Sequence, residues 1–307
     1  MPKYVLTTIS QGDSIPETFQ SKYDSVLASS GAKVDKVVQL SPNKAIDYYV
    51  TASSETFPAD VKSTFLDLSK DTKVDVIVQA DSPERKDKGL FVFDMDSTLI
   101  QQEVIDMIAA YANVEAEVSK ITEAAMNGEI DFNESLTRRV GLLKGIRSDV
   151  FELLKADIRF TPGARELCRA LKKLGVKMAV LSGGFIPLAR WVKAELGLDY
   201  AYANTLEISA NGKELTGKPL GRIVNNVVKA ELLQEIAKQE NVALERAVAV
   251  GDGSNDLLMM AAAGFGIAFN AKPVVQLKAP SKINTPSLQT VLYILGYNDK
   301  EIKDLIE

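Results

Sequence analysis

Residues 89–307 predict an α/β fold, a doubly wound, Rossmann-like parallel sheet with a four-helix cap inserted into it. Residues 1–82 predict a separate small ferredoxin-like βαββαβ domain. Three observations carry this reading. From residue 89 onward, LFVFDMD, VKMAVLS, AVAVGD and FGIAF are short, apolar and β-rich, and they alternate with helical periodicity. Strands buried on both faces of a parallel sheet read this way. The long stretch between the first two of them has no strand character and reads as helices. Upstream, strand and helix patterns follow one another in the order βαββαβ.

The elements can be justified in turn. YVLTTIS is a strand, and PETFQSKYDSVLASSG a helix stopped by glycine. KVDKVVQL and AIDYYVTA pair across SPNK, FPADVKSTFLDLSKDT is a helix, and VDVIVQA a strand. The polar run DSPERKDKG (81–89) reads as a linker. Residues 89–102 and 159–307 then form the core, and 103–158 the cap. In the cap, QEVIDMIAAYA, VEAEVSKITEAAMNG, DFNESLTRRVGLLKG and SDVFELLKADI are amphipathic. After the next helix, AYANTLEISANGKELTG predicts a hairpin with Asn211-Gly212 in its tight turn.

Composition narrows the function. With 307 residues, 46% apolar and 25% charged, the chain can bury a full core. A net charge of −5 argues against general nucleic-acid binding. The single cysteine, Cys168, lies on the apolar side of a helical pattern. It implies a reducing, cytoplasmic compartment without a disulfide frame. No apolar run approaches a membrane span, and MPKYVLTTIS lacks a signal-peptide core. The absence of histidine excludes Ser-His-Asp and Cys-His catalysis and His-ligated zinc. Proton transfer must fall to carboxylates or lysine.

Four features fall at strand ends, where open α/β sheets bind ligands. In FVFDMDSTLI, Asp94 and Asp96 lie on one side of an extended chain, because side chains alternate with period two. Such a pair needs a cation between its members, and Mg²⁺ with a phosphate as further ligand meets that need. One acid alone would do as a helix cap. Ser182, Gly183 and Gly184 offer a hydroxyl and bare amides before a helix, which suits a phosphate. Lys229 sits near a helix start among valines, a poor place for a solvated cation. In GDGSND, glycines permit close backbone approach, Asp252 can bind metal and Asn255 can donate to phosphate.

This order, DxDST, SGG, Lys, GDGxND, resembles the haloacid dehalogenase superfamily of Mg²⁺-dependent phosphotransferases. The cap narrows the resemblance to the branch that hydrolyses O-phospho-L-serine. Glu103, the stretch from Met126 to Phe132, and SLTRRVGLLKG around Arg139 carry it. The match spans roughly residues 89–280, and residues 1–82 loosely resemble small regulatory, ACT-type domains. The resemblance implies Asp94 as nucleophile, forming an aspartyl phosphate, and Asp96 as general acid and base. It implies Mg²⁺ held by Asp94, Asp252 and the Asp96 backbone carbonyl, with Asp256 behind them. Ser182, Gly183, Lys229 and Asn255 would bind phosphate. Glu103, Arg139, Met126, Phe132, Gly184 and Asn204 would meet the rest of the substrate. Physics supports the cap assignment separately, since phosphoserine offers an ammonium for Glu103 and a carboxylate for the Arg139 fork. Phe132 and Arg139, seven apart, share a helix face. Arg138 is the adjacent rival, and the resemblance selects Arg139 because it directly precedes Val140. The competing expectation is a phosphatase of the same superfamily with another small ester as substrate. Membrane and nucleic-acid partners are not expected, and the sequence leaves a homodimer open.

Overall fold

The structure is a computed structural model, and it describes residues 1–126 and 129–307, with Met126 described by its backbone alone. The expectation that the Met126 side chain meets the substrate therefore lies outside the described residues. The first unit runs β1 (Lys3–Ser10), α1 (Glu17–Ser29), β2 (Lys33–Ser41), β3 (Ala45–Thr51), α2 (Phe57–Thr72) and β4 (Val74–Ala80). Its sheet has the order β2-β3-β1-β4, and every pairing is antiparallel. That is the ferredoxin-like topology. Tyr23, Phe19 and Phe65 fill its core beneath the helices, each aromatic burial contributing roughly 1.5–3 kcal/mol.

The second unit opens with β5 (Leu90–Phe93) and passes at once into the cap. The cap helices are α3 (Val104–Ala112), α4 (Glu115–Met126), α5 (Phe132–Gly141) and α6 (Val150–Leu154). The chain returns through α7 (Ala164–Lys173), β6 (Lys177–Phe185), α8 (Ile186–Leu196), β7 (Tyr200–Ile208) and β8 (Leu215–Leu220). It closes through α9 (Asn226–Gln239), β9 (Ala247–Gly251), α10 (Leu257–Ala262), β10 (Phe265–Phe269), α11 (Pro273–Lys278) and β11 (Ser281–Ile283). Two helices, α12 (Val291–Ile294) and α13 (Asp299–Ile306), end it.

The seven strands lie in the order β11-β10-β9-β5-β6-β7-β8. All pair in parallel except the β7–β8 hairpin. Its connection is longer than a two-residue turn, running from Ile208 to Leu215, and there only Gly212 takes the left-handed conformation. Chain direction across the sheet reverses between β5 and β9, which makes their carboxyl ends the switch point where such sheets bind ligands. Alternation on β5 explains why it is wholly apolar. Phe91 and Phe93 enter the layer shared with α7 and α8, Leu90 and Val92 the layer shared with α9 and α10, and all four are fully buried. No helix among the described residues is long and apolar enough to cross a membrane.

The segment expected as a linker is instead part of the packing. Pro83–Arg85 forms a 3-10 turn, and the Arg85 guanidinium is buried against both oxygens of Asp47, at 2.7 and 2.8 Å. A run that is polar in composition carries its charge inward here because a buried partner awaits it.

Candidate active site

The apolar β5 delivers Asp94 to the switch point, and the chain then turns sharply. Asp96 is still extended (φ −66°, ψ 137°), but Ser97 is left-handed at φ 54°. Because the strand ends at Phe93 and Met95–Leu99 turn, the Asp94 and Asp96 side chains diverge and do not share the expected face. Asp94 points to the sheet axis, where its Oδ1 accepts from Lys229 Nζ at 2.7 Å and from the Met95 amide at 2.7 Å. Asp96 turns toward the cap. Its Oδ1 accepts from the Val104 amide at 2.9 Å, and its Oδ2 from Ser182 Oγ at 3.1 Å.

Lys229, on the first turn of α9, is fully buried, and its Nζ also lies 2.7 Å from Asp256 Oδ1. The N-cap Asn225 fixes that turn by accepting from the Val228 amide. Asp252, after β9, is held by the hydroxyl of Thr98, which is 3.1 Å away. Asp94, Asp252 and Asp256 each offer a carboxylate oxygen within 4.8 Å of the others. Three carboxylates face one ammonium, so the cluster carries excess negative charge in a dry pocket. An all-oxygen donor set of this charge fits a hard divalent ion such as Mg²⁺.

The titration of these groups reports the same stress. Burial, then Asp256, pushes Asp94 well above the usual carboxylate range. Burial and Asp256 bring Asp252 up to about 7. For Asp96, burial and the nearby Glu103 charge raise it to about 7 against the opposing Val104 and Ser182 hydrogen bonds. Lys229 is disfavoured as a cation by burial, yet Asp256 and Asp94 outweigh that and raise it.

Opposite Lys229, β6 ends in Ser182, Gly183 and Gly184. Ser182 Oγ accepts from the Gly184 amide at 2.8 Å while donating to Asp96. A side chain at either glycine would press on its neighbours. A Cβ on Gly184 would stand 2.8 Å from Asp96 Oδ2, and one on Gly183 3.0 Å from the Phe132 ring. Phe132 thus reaches down from α5 onto the cradle. Asn255 lies in the Ser254–Asp256 turn beside Gly253, half-buried.

In the cap, Ser97 Oγ donates to Glu103 Oε1 at 2.6 Å. Glu103 keeps contact with solvent, yet the protein crowding its carboxylate raises its pKa, the Ser97 hydroxyl opposes this, and Asp106 adds repulsion. Burial draws the Arg139 guanidinium down from its ordinary value, while Asp106 and Glu103 pull it up. Arg138 is instead exposed and paired with Glu134 on the outer face of α5. The structure thus separates the two arginines, and Arg139 faces the acids.

Asn204 is buried between the cradle and Val224. Its amide nitrogen donates to the Gly183 carbonyl at 2.8 Å, and its oxygen accepts from the Val224 amide at 2.8 Å. Both ends are used to brace the cradle from behind. Sequence reasoning also missed Thr98 and Asp106. Thr98 stood inside the DxDST motif, and a buried hydroxyl beside paired acids was the available signal. Asp106 lies three residues after Glu103, hence on the same side of α3.

Comparison with known proteins agrees with this geometry. Residues 89–264 match the family model described as haloacid dehalogenase-like hydrolase. A phosphoserine phosphatase of Saccharomyces cerevisiae is 47% identical, covering 98% of this chain and 99% of its own. A solved haloacid dehalogenase family hydrolase from Salmonella enterica serovar Typhi is 33% identical, with a TM-score of 0.81, covering 95% of this chain and 98% of that one. A solved phospho-aspartyl intermediate analogue of a phosphoserine phosphatase is 46% identical, with a TM-score of 0.63, covering 68% of this chain and 99% of its own.

A sheet with this switch point, an acid-bearing first strand and a helical cap define a hydrolase of the haloacid dehalogenase-like family. Within that family, the chain belongs to the phosphoserine phosphatases.

Proposed function

We propose that this chain hydrolyses O-phospho-L-serine to L-serine and phosphate with Mg²⁺ as its resident ion. The observation that supports the reading is that two opposite cap charges lie near enough to act on each other, Arg139 and Glu103, with Glu103 bonded to Ser97 one residue from Asp96. Phosphate binds below, and the ammonium and carboxylate find one partner each above. Asp94 attacks phosphorus in line, so a bond from its carboxylate oxygen to phosphorus forms as the bond to the serine oxygen breaks. Asp96, protonated near neutrality by its raised pKa, gives its proton to the departing oxygen. It then takes a proton from the water that attacks phosphorus and frees Asp94. Lys229, Ser182, the Gly183 amide and Asn255 hold the phosphate oxygens, where transition-state charge spreads. Asp94, Asp252 and the Asp96 carbonyl would hold Mg²⁺, with Asp256 fixing their arrangement. When bound, the ion offsets the repulsion between nucleophile and phosphate. Asn204 ties the Gly183 carbonyl and so braces the cradle.

The reading places the reaction at the last step of serine biosynthesis, in the cytoplasm. The buried Cys168, whose thiol burial raises to about 12, suits a reducing compartment. Phosphate release from phosphoserine, phosphoethanolamine and phosphoglycolate, with and without Mg²⁺, tests the substrate. We expect phosphoserine to be preferred and turnover to need the ion. Equal rates on all three esters would make the chain a phosphatase for other small esters.

A further inference from the structure

A cleft of the core lies at the other end of the sheet from Asp94. It encloses about 680 Å³ between the carboxyl ends of α7 and α8 and the amino ends of β6 and β7. That volume suits a small ligand. Lys172, Lys177, Arg190 and Lys193 line it, with Asp199 as the lone acid. Asp199 is fully engaged, one oxygen 3.4 Å from Lys177 Nζ and the other accepting from the Met178 amide at 2.9 Å. Lys172, Arg190 and Lys193 make no ion pair within 4.0 Å among the described residues, in contrast to Lys177.

Lysines at helix carboxyl ends often do no more than balance the helix dipole, so the charges must be weighed. Four cations against Asp199 in the lining and Glu240, 3.6 Å from Lys177 Nζ, leave +2. Two helix ends supply roughly half a negative charge each, so about +1 remains unbalanced. Arg190 lies in the middle of α8, away from its final turn. On a chain of net charge −5 this local excess stands out. Val176 and Leu198 give the cleft an apolar wall. The basic surface is one pocket and forms no stripe, which favours a small molecule over a nucleic acid.

We propose that this cleft is a binding site for a small oligo-anion, one carrying two or more phosphoryl or carboxylate groups. The site is separate from the catalytic one. Lys177 and Ser182 are five residues apart on β6, roughly 16 Å, so a ligand here touches the strand that ends in the phosphate cradle without reaching it.

Pyrophosphate is the probe, titrated into the metal-stripped full chain, and the sites of the shifts distinguish the cleft from the catalytic end. Backbone amide resonances are followed by NMR. We expect saturable shifts at Gly175 and Gly197, with a Kd below about 1 mM. The charge reversal Arg190→Glu/Lys193→Glu should weaken binding at least about tenfold and leave phosphoserine turnover without pyrophosphate unchanged. Shifts confined to Gly183 and Gly253, or an affinity unmoved by the charge reversal, would overturn the proposal. A charge-reversed chain that fails to fold would be replaced by Arg190→Gln/Lys193→Gln, judged by the same shifts.

Discussion

Asp96 and Asp252 share a titration, and it makes the site's charge measurable. Each stands at about 7 in the folded, metal-free chain against an ordinary value of 3.8. Below about pH 4 both folded and unfolded chains hold these protons. Between about 4 and 7 only the folded chain does, so their contribution to stability is lost as pH rises through that window. Metal must displace the Asp252 proton. We therefore expect the Tm of metal-stripped protein to fall from pH 5 to 7.5 relative to Asp252→Asn, and Mg²⁺ to raise it most at the higher pH. Parallel profiles for the two proteins would remove Asp252 from this role. Asp94→Asn should fold but lose more than about a hundredfold in kcat, a loss of at least ~2.7 kcal/mol, because an amide cannot take up phosphorus. Asp94, Asp252 and Lys229 were legible in the sequence because each stood out against an apolar strand end or helix face. The direction of Asp96 was not, since the strand ends at Phe93 and period-two alternation stops there, a boundary no composition signal marks. The bracing role of Asn204 was hidden too, because it rests on a carbonyl 21 residues away.

At the scale of elements, the cap and the cradle meet through a few close contacts. Ser97 ties Glu103, the Val104 amide ties Asp96, and Phe132 rests over Gly183. The start of the cap and the acid are thus held by one set of contacts. Gly184→Ala should move Asp96 and Ser182, whose oxygens would lie 2.8 and 3.0 Å from the new methyl. Overpacking of this kind costs typically ~1–3 kcal/mol, and we expect kcat to fall by roughly five- to a hundredfold with the fold kept. Unchanged kcat would show that the cradle yields freely. The cap charges make a sharper test. Arg139→Ala should lose roughly ten- to a hundredfold in kcat/KM on phosphoserine, as for a charge-assisted contact, and far less on phosphoethanolamine, which lacks the carboxylate. Glu103→Gln should spare phosphoglycolate. Equal losses on every ester would make both charges structural. The four cap helices were readable because amphipathic periodicity is local. The choice between Arg138 and Arg139 came from resemblance, since spacing does not separate them; in the structure Glu134 occupies Arg138 on the outer face.

The whole molecule joins its two units through buried charge. Arg85 binds Asp47 and also donates to the carbonyls of Tyr293 and Ile294. Lys282, on β11, pairs with Asp75 of β4 and donates to Ser69 at 2.6 Å, while the Asn284 amide donates to the other Asp75 oxygen at 2.6 Å. Asp47, Asp75, Arg85 and Lys282 are all buried. Neither pair could be foreseen, because their members lie 38 and 207 residues apart and each alone reads as a solvated surface charge. The ferredoxin-like order was legible, its fusion to the core was not. A tethered regulatory module would unfold independently, whereas a unit sharing buried ions with the core should melt with it. We expect calorimetry to give one transition. Arg85→Met leaves Asp47 buried without its cation, and breaking a buried pair from one side costs about 3–5 kcal/mol. That loss should appear as a lower Tm for the single transition. Arg85→Met/Asp47→Leu removes both charges and should recover much of it, since the desolvation of the stranded carboxylate disappears. Two transitions, with Arg85→Met lowering only one, would show that residues 1–82 are a separate module resting on the core.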